Sequence, residues 1–199
     1  KVGAILVNIN PSYRVHELEY ALQQSGCAML VLAPHFRTSN YTQMLYTLVP
    51  ELRDSQPGQL KAGKFPDLRT VIKLGDEPGP GMYTWGDVFS IAAHVSDAAL
   101  AERQGQQQFD DPINIQYTSG TTGYPKGATL SHHGILNNAY SVAHVLRLTH
   151  QDRLVIPVPL YHCFGMVMGN LACMTHGATM IYPSEGFDAK AVLEAVQEE

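Results

Sequence analysis

Short apolar runs alternate along this chain with segments in which apolar residues recur every three or four positions. The apolar runs are typical of buried strands, and the spacing of three or four is typical of amphipathic helices. The predicted strands cover residues 3–9, 27–33, 69–74, 113–117, 128–130, 154–158 and 178–182. We expect both faces of the strand at 27–33 to be buried, because polar residues do not alternate with its apolar ones.

The helical spacing is first seen between Val15 and Leu22, and Gly26 is predicted to end that helix. Thr84 and Asp87 have the spacing of a capping box, which predicts a helix through residue 93. Further helices are predicted at residues 41–52, 97–108, 132–148, 164–175 and 189–199. Strands that alternate with helices indicate an α/β fold with a largely parallel sheet.

Composition narrows the range of functions. Of the 199 residues, 16% are charged, against about 25% in a typical domain, and the formal net charge at pH 7 is -5. A chain without an excess of basic residues is a poor candidate for nucleic-acid binding. The three cysteines, Cys27, Cys163 and Cys173, have no CxxC spacing, which disfavours a disulfide scaffold or a zinc module and favours a reducing compartment.

Residues 154–184 include no Lys, Arg, Asp or Glu, and the stretch is long enough to span a bilayer. Pro157, Pro159 and Pro183 interrupt it, and a proline inside a helix removes a backbone hydrogen bond. We therefore interpret the stretch as a buried strand, a loop, a helix and a second strand, and we expect no transmembrane segment. Peripheral contact with a membrane stays open.

The segment between the predicted strands at 113–117 and 128–130 is rich in glycine and hydroxyl groups. It reads Thr118-Ser119-Gly120-Thr121-Thr122-Gly123-Tyr124-Pro125-Lys126-Gly127. Glycines let the backbone approach an anion closely, hydroxyl groups donate hydrogen bonds to phosphate oxygens, and a lysine adds a positive charge. The pattern is typical of a phosphate cradle, although it matches neither the Walker P-loop nor GxGxxG. A surface turn without a ligand is the alternative interpretation.

This segment resembles the phosphate-binding signature of the adenylate-forming superfamily, which includes acyl-CoA synthetases, peptide-synthetase adenylation domains and luciferases. A second segment resembles the next motif of those proteins. It reads Pro159-Leu160-Tyr161-His162-Cys163-Phe164-Gly165. With Asn8-Ile9-Asn10-Pro11-Ser12-Tyr13-Arg14, the chain is most similar to medium-chain fatty acyl-CoA synthetases of the family-member-2 type. The resemblance implies that residues 1–199 are an internal part of the large N-terminal, AMP-binding domain of a longer protein, without its C-terminal domain.

The resemblance also implies an activity for that longer protein. It would activate a fatty acid, of medium chain length, with ATP to an acyl-adenylate and then transfer the acyl group to coenzyme A. ATP and coenzyme A would be co-substrates, and Mg²⁺ would be required. The ATP phosphates would be bound by Thr118, Ser119, Gly120, Thr121, Thr122, Gly123 and Lys126. Lys126 would also be catalytic, because it would neutralise charge on the leaving pyrophosphate.

The second motif would lie at the acyl pocket. The resemblance implies that His162 lies beside the acyl carboxylate and that Tyr161, Phe164 and Gly165 help to form the pocket. A histidine in an apolar stretch, and aromatic residues at helical spacing, also occur in a plain hydrophobic core, and that alternative stays open. No residue of the chain is predicted to bind a metal.

Two other functions stay open: a non-catalytic nucleotide- or phosphate-binding module, and an adenylation domain that loads a carrier protein. Similar enzymes use a Tyr-Gly-x-Thr-Glu motif, a ribose-binding aspartate and a lysine of the C-terminal domain, and no such segment occurs in residues 1–199. We therefore expect this chain to be inactive by itself. The resemblance implies a cytoplasmic location in a bacterium, or the mitochondrial matrix in a eukaryote.

Overall fold

The computed structural model describes residues 1–118 and 125–199. The chain divides into two compact units. The first comprises Lys1–Val2 and Ile9–Gln106, and the second comprises Gly3–Asn8 and Gln107–Glu199. Helices and strands alternate in both units, which confirms the predicted α/β class.

The strands are β1 (Leu6–Asn8), β2 (Met29–Leu32), β3 (His35–Phe36), β4 (Ser39–Asn40), β5 (Thr70–Lys73), β6 (Tyr83–Thr84), β7 (Pro112–Thr118), β8 (Lys126–Ser131), β9 (Arg153–Val155) and β10 (Thr179–Ile181). The helices are α1 (Val15–Ser25), α2 (Tyr41–Leu48), a 3₁₀ helix (Pro50–Asp54), α3 (Trp85–Ala92), α4 (Asp97–Gly105), α5 (His132–Leu146), a π-helix (Phe164–Leu171), α6 (Ala172–His176) and α7 (Ala189–Glu198). Each predicted strand and helix has a counterpart here, with ends that shift by up to a few residues.

A parallel sheet with the strand order β2-β5-β6 organises the first unit. Leu45 of α2 and Val71 of β5 are fully buried in its core, and Leu32 of β2 joins them. On the other face of β2, Met29 and Val31 are 55% and 48% exposed. The prediction that both faces of this strand are buried is therefore wrong, because side chains alternate along a strand and the core covers one face of this edge strand.

The helix predicted at 41–52 ends earlier than expected. α2 stops at Leu48, and Pro50 begins the 3₁₀ helix instead. A proline has no N–H to donate and disfavours helical backbone angles in the residue before it, and Val49 has φ -131°. The chain turns here, which brings Leu52 into the core of the same unit.

The capping box predicted at Thr84 and Asp87 is present at the start of α3. The Asp87 carboxylate accepts hydrogen bonds from the Thr84 backbone N–H at 2.8 Å and from the Thr84 hydroxyl at 2.9 Å. Both bonds lower the pKa of the Asp87 carboxyl below its usual value, and the bond from the backbone N–H has the larger effect.

Protonation of Asp87 is therefore expected to weaken α3. Because the folded-state pKa is lowered, the stabilisation is present above the ordinary aspartate pKa and is lost as the pH falls through the lowered value. An NMR titration of Asp87 should have its midpoint below that of an unperturbed aspartate. Thr84→Ala should raise this midpoint only part of the way, since the backbone N–H remains. The same midpoint in both proteins would show that the hydroxyl contributes nothing.

Strand β7 lies between β1 and β8 in the second unit. It is parallel to β1 and antiparallel to β8. β9 and β10 form a separate parallel pair. Helix α5 packs on the π-helix through Ile135, Ala139 and Val167, which are all buried. Pairing is therefore largely parallel, as predicted, except at β7–β8 and in the small β3–β4 hairpin of the first unit.

The uncharged stretch 154–184 folds as a strand, a loop, a helix and a second strand, as its prolines predict. The helix differs from expectation in beginning as a π-helix, a rare form that is frequent at functional sites. A Cβ atom at Gly165 would lie 2.5 Å from the Pro159 carbonyl oxygen, so this turn fits directly against the preceding loop. No helix in the two described ranges is long and apolar enough to cross a bilayer.

Candidate functional site

The strands that flank the glycine-rich segment form an antiparallel hairpin. Thr118 and Lys126 are register partners at its last pair, and the Thr118 hydroxyl donates to the Lys126 carbonyl oxygen at 3.5 Å. The other predicted phosphate ligands lie outside the described residues: Ser119, Gly120, Thr121, Thr122 and Gly123. The structure thus places the first and last predicted ligands opposite each other where the hairpin opens.

Lys126 carries an exposed positive charge at this end of the hairpin. Within residues 1–118 and 125–199, no carboxylate forms an ion pair with it. A lysine in this situation can approach an anionic ligand without first breaking a salt bridge to that part of the chain. Such a mobile cation suits a ligand whose charge changes during a reaction.

Gln116 connects this hairpin to the second predicted motif. Its side chain is buried, and its amide donates a hydrogen bond to the Tyr161 carbonyl oxygen at 2.8 Å. Its side-chain oxygen has no hydrogen-bond partner among the described residues. The Tyr161–His162 backbone is therefore held against the strand that leads into the glycine-rich segment.

The end of β1 joins the same cluster. Asn8 is the register partner of Gln116 in the β1–β7 pair, and its side-chain amide lies 3.7 Å from the sulfur of Met166. Asn114, also buried on β7, donates its amide to the Leu6 carbonyl oxygen at 2.9 Å. The structure thus brings Asn8 and Tyr161, from two of the segments that carried the resemblance, to the strand that leads into the third.

Gln116 and Asn114 were not predicted as part of the site. A signal was present, because two amide residues occupy positions i and i+2 of an otherwise apolar strand and so share one face. Buried polar side chains are expected to have a hydrogen-bond partner. Their partners are backbone groups of distant segments, which the sequence pattern does not identify.

His162 is exposed among the described residues and belongs to none of their hydrophobic core clusters. Its Nδ1 accepts a hydrogen bond from the backbone N–H of Phe164 at 3.1 Å, which fixes the ring close to its own backbone. A neutral ring that accepts at Nδ1 carries its hydrogen on Nε2. His162 can therefore donate from Nε2 to a ligand. Phe164 beside it is 53% exposed, whereas Gly165 is buried.

Cys163 lies next to His162, but it does not have the properties of a nucleophile. Burial raises the pKa of its thiol above the ordinary value. The thiolate is the reactive form of cysteine, and activated cysteines have a lowered pKa. The Cys163 thiol therefore lacks the lowered pKa that is typical of a catalytic cysteine.

Residues 1–118 and 125–199 contain no group of three or more His, Cys, Asp or Glu side chains that could hold a metal ion.

A family model described as "AMP-binding enzyme" matches residues 1–199. This chain belongs to the AMP-binding enzyme family. The family assignment confirms the resemblance that was inferred from the glycine-rich segment and from the motif at 159–165. It also agrees with the hydrogen bond that joins Gln116, just before the first of these segments, to Tyr161 in the second.

Two curated proteins are similar to this AMP-binding chain over its whole length. "Putative acyl-CoA synthetase YngI" of Bacillus subtilis (strain 168) is 47% identical over 199 residues, which are 100% of this chain and 36% of the relative. "Medium-chain acyl-CoA ligase ACSF2, mitochondrial" of Mus musculus is 45% identical over 206 residues, which cover 100% of this chain and 33% of the relative. The chain thus spans about a third of the curated relatives that it matches.

Solved structures support the same fold. The anthranilate CoA ligase AuaEII, in complex with anthranoyl-AMP, matches with a TM-score of 0.75 and 25% identity over 98% of this chain and 34% of that protein. ATP-bound MatB from Rhodopseudomonas palustris matches with a TM-score of 0.69 and 24% identity over 98% of this chain and 33% of that one. The family fold is therefore present even though the chain covers only part of either protein.

Proposed function

We propose that the protein containing this chain is an acid–thiol ligase, which activates a fatty acid with ATP and transfers the acyl group to coenzyme A. The main support is the hairpin that places Thr118 opposite Lys126 and is tied through Gln116 to the segment bearing His162. This arrangement ties the segment with the candidate carboxylate site to the strand that leads into the candidate phosphate site. The names of the curated relatives support coenzyme A as the acceptor.

In this proposal the segment from Thr118 to Lys126 binds the β- and γ-phosphates of ATP. Its predicted ligands include Ser119, Gly120, Thr121, Thr122 and Gly123. The fatty carboxylate attacks the α-phosphorus, the bond from that phosphorus to the bridging oxygen breaks, and pyrophosphate leaves. Lys126 stabilises the negative charge that develops on the leaving oxygens, where a nearby cation lowers the barrier.

His162 orients the acid in this reaction. Its Nε2–H donates to one carboxylate oxygen, while the bond from the Phe164 N–H to Nδ1 holds the ring. Such orientation places the second oxygen for attack. Once the acyl-adenylate has formed, the coenzyme A thiol attacks its carbonyl carbon and AMP leaves.

The acyl chain lies against Tyr161, Phe164 and Gly165. Phe164 and Met168 are 53% and 41% exposed, so they offer apolar surface for a flexible chain. Medium chain length is supported by the name of the mouse relative. The bacterial and mitochondrial relatives likewise support a cytoplasmic location in a bacterium or the mitochondrial matrix in a eukaryote.

The test is ATP–pyrophosphate exchange by the full-length protein with short-, medium- and long-chain fatty acids, Mg²⁺ being included. We expect exchange that depends on the acid and is fastest at medium length, together with acyl-CoA when coenzyme A is added. The 199-residue chain alone should form no acyl-CoA. A failure of every fatty acid in the panel to support exchange would contradict the substrate class. Exchange without acyl-CoA, but with transfer to a carrier-protein thiol, would favour a carrier-loading adenylation domain.

A further inference from the structure

The first unit has a cavity of about 370 Å³ at the carboxyl ends of its parallel strands. His35 follows β2, Lys73 is the last residue of β5 and Glu77 follows it, and all three line this cavity. In open α/β sheets, ligands bind beyond the carboxyl ends of the strands. The volume lies within the range of about 300–1,000 Å³ that is usual for small-molecule sites.

Lys73 is the most unusual residue of this cavity. It is only 7% exposed, and among residues 1–118 and 125–199 no hydrogen bond or ion pair to its ammonium is found. Val71, two residues earlier on β5, lies in the core. Because alternate residues share a face of a strand, Lys73 lies on the side of the sheet that faces α2. Its buried stem holds the ammonium at the cavity, where it can pair with a bound anion.

A second cation lines the same cavity. The Arg53 guanidinium lies 3.9 Å from the centre of the Tyr46 ring, and the Tyr46 hydroxyl donates to the Pro80 carbonyl oxygen at 2.9 Å. Both residues line the cavity. Within the described part of the chain, Arg53 forms no ion pair. The stacking orders the guanidinium and leaves its N–H groups to donate to a ligand.

Glu77 is the carboxylate of the lining, and it forms no ion pair with Lys73 or Arg53. The two cations therefore outnumber the acid. The backbone N–H groups that begin α2 do not contribute, because those of Tyr41 and Thr42 donate to the Pro34 carbonyl oxygen. The binding chemistry of the cavity thus comes from its side chains.

We propose that this cavity binds a phosphate-class oxyanion, with Lys73 and Arg53 as its charged donors and Glu77 limiting its affinity. The guanidinium can bind two oxygens at once, and the ammonium adds a point charge. The anion is either free, as phosphate or pyrophosphate, or the phosphate ester of a nucleotide. This proposal does not depend on the proposed function.

The test is isothermal titration calorimetry of the protein at low ionic strength with inorganic phosphate, pyrophosphate and AMP. Lys73→Met should weaken binding by at least about tenfold, since a hydrogen bond to a charged group is lost. Glu77→Gln should tighten it severalfold. Lys61→Met, which changes an exposed lysine of the same unit, should leave it unchanged. Tighter binding of pyrophosphate than of AMP identifies a free anion, and the reverse identifies an ester.

The Lys73→Met variant should also unfold close to the temperature of the unliganded wild type, because methionine replaces the buried stem with an apolar side chain of similar length. Equal affinity in Lys73→Met and the wild type would overturn the proposal. Complete loss of anion binding in Lys126→Ala would also overturn the proposal, because all of the binding would then belong to the hairpin. If Lys73→Met fails to fold, Glu77→Gln decides, and unchanged affinity in that variant overturns the proposal.

Discussion

Replacing Lys126 by alanine is expected to slow acyl-adenylate formation by the full-length protein about a hundredfold or more. The substitution removes the cation that, in the proposed reaction, faces the negative charge on departing pyrophosphate. Loss of one preorganised group that stabilises developing charge typically lowers kcat by about 10²–10³. The loss should appear mainly in kcat, because the charge on the leaving oxygens is greatest in the transition state.

ATP–pyrophosphate exchange over a range of ATP concentrations measures this effect. Lys126→Arg should retain part of the activity, because the charge is kept while its shape and reach change. Lys61→Ala, at another exposed lysine, should behave as the wild type. An unchanged kcat in Lys126→Ala would contradict the role proposed for this residue.

Replacing Gly165 by alanine is expected to destabilise the second unit by about 1–3 kcal/mol or more. The new Cβ would lie 2.5 Å from the Pro159 carbonyl oxygen and 2.9 Å from the Val158 carbonyl oxygen. These are backbone atoms, which cannot move aside as the end of a flexible side chain can. The loop must shift instead, and His162 lies on that loop. We therefore expect both a lower unfolding temperature and weaker binding of the fatty acid.

Gly134→Ala is the matched control for this substitution. Gly134 also lies in a helix, but its Cβ would meet only the Ser131 hydroxyl, at the ordinary distance of 3.5 Å. Helix propensity then favours alanine, so this variant should be as stable as the wild type or more stable by up to about 1 kcal/mol. Thermal unfolding of the two variants side by side separates the steric effect from propensity. Equal stability of the two variants would show that the loop at 158–159 shifts at little cost in free energy.

Features that depend on neighbouring residues could be predicted from the sequence. The capping box at Thr84 and Asp87 and the start of α5 at His132 need only a few consecutive residues, because the groups that form them are close in the chain. The family could also be inferred from the sequence, since its motifs are short and occur in a fixed order along the chain. The helix predicted at 41–52 instead gives way to a 3₁₀ helix at Pro50, because the apolar spacing continues across a proline that has no N–H to donate.

Features that depend on distant residues required the tertiary structure. The bond from Gln116 to Tyr161 joins residues 45 positions apart, and no local pattern specifies that distance. The same holds for the cavity with Lys73 and Arg53, where a strand end meets a helix from another part of the first unit. The sequence by itself determined the family and the order of its strands and helices, because local chemistry directs both. Only packing decided which polar groups became buried and which partners they met, because burial depends on the whole unit.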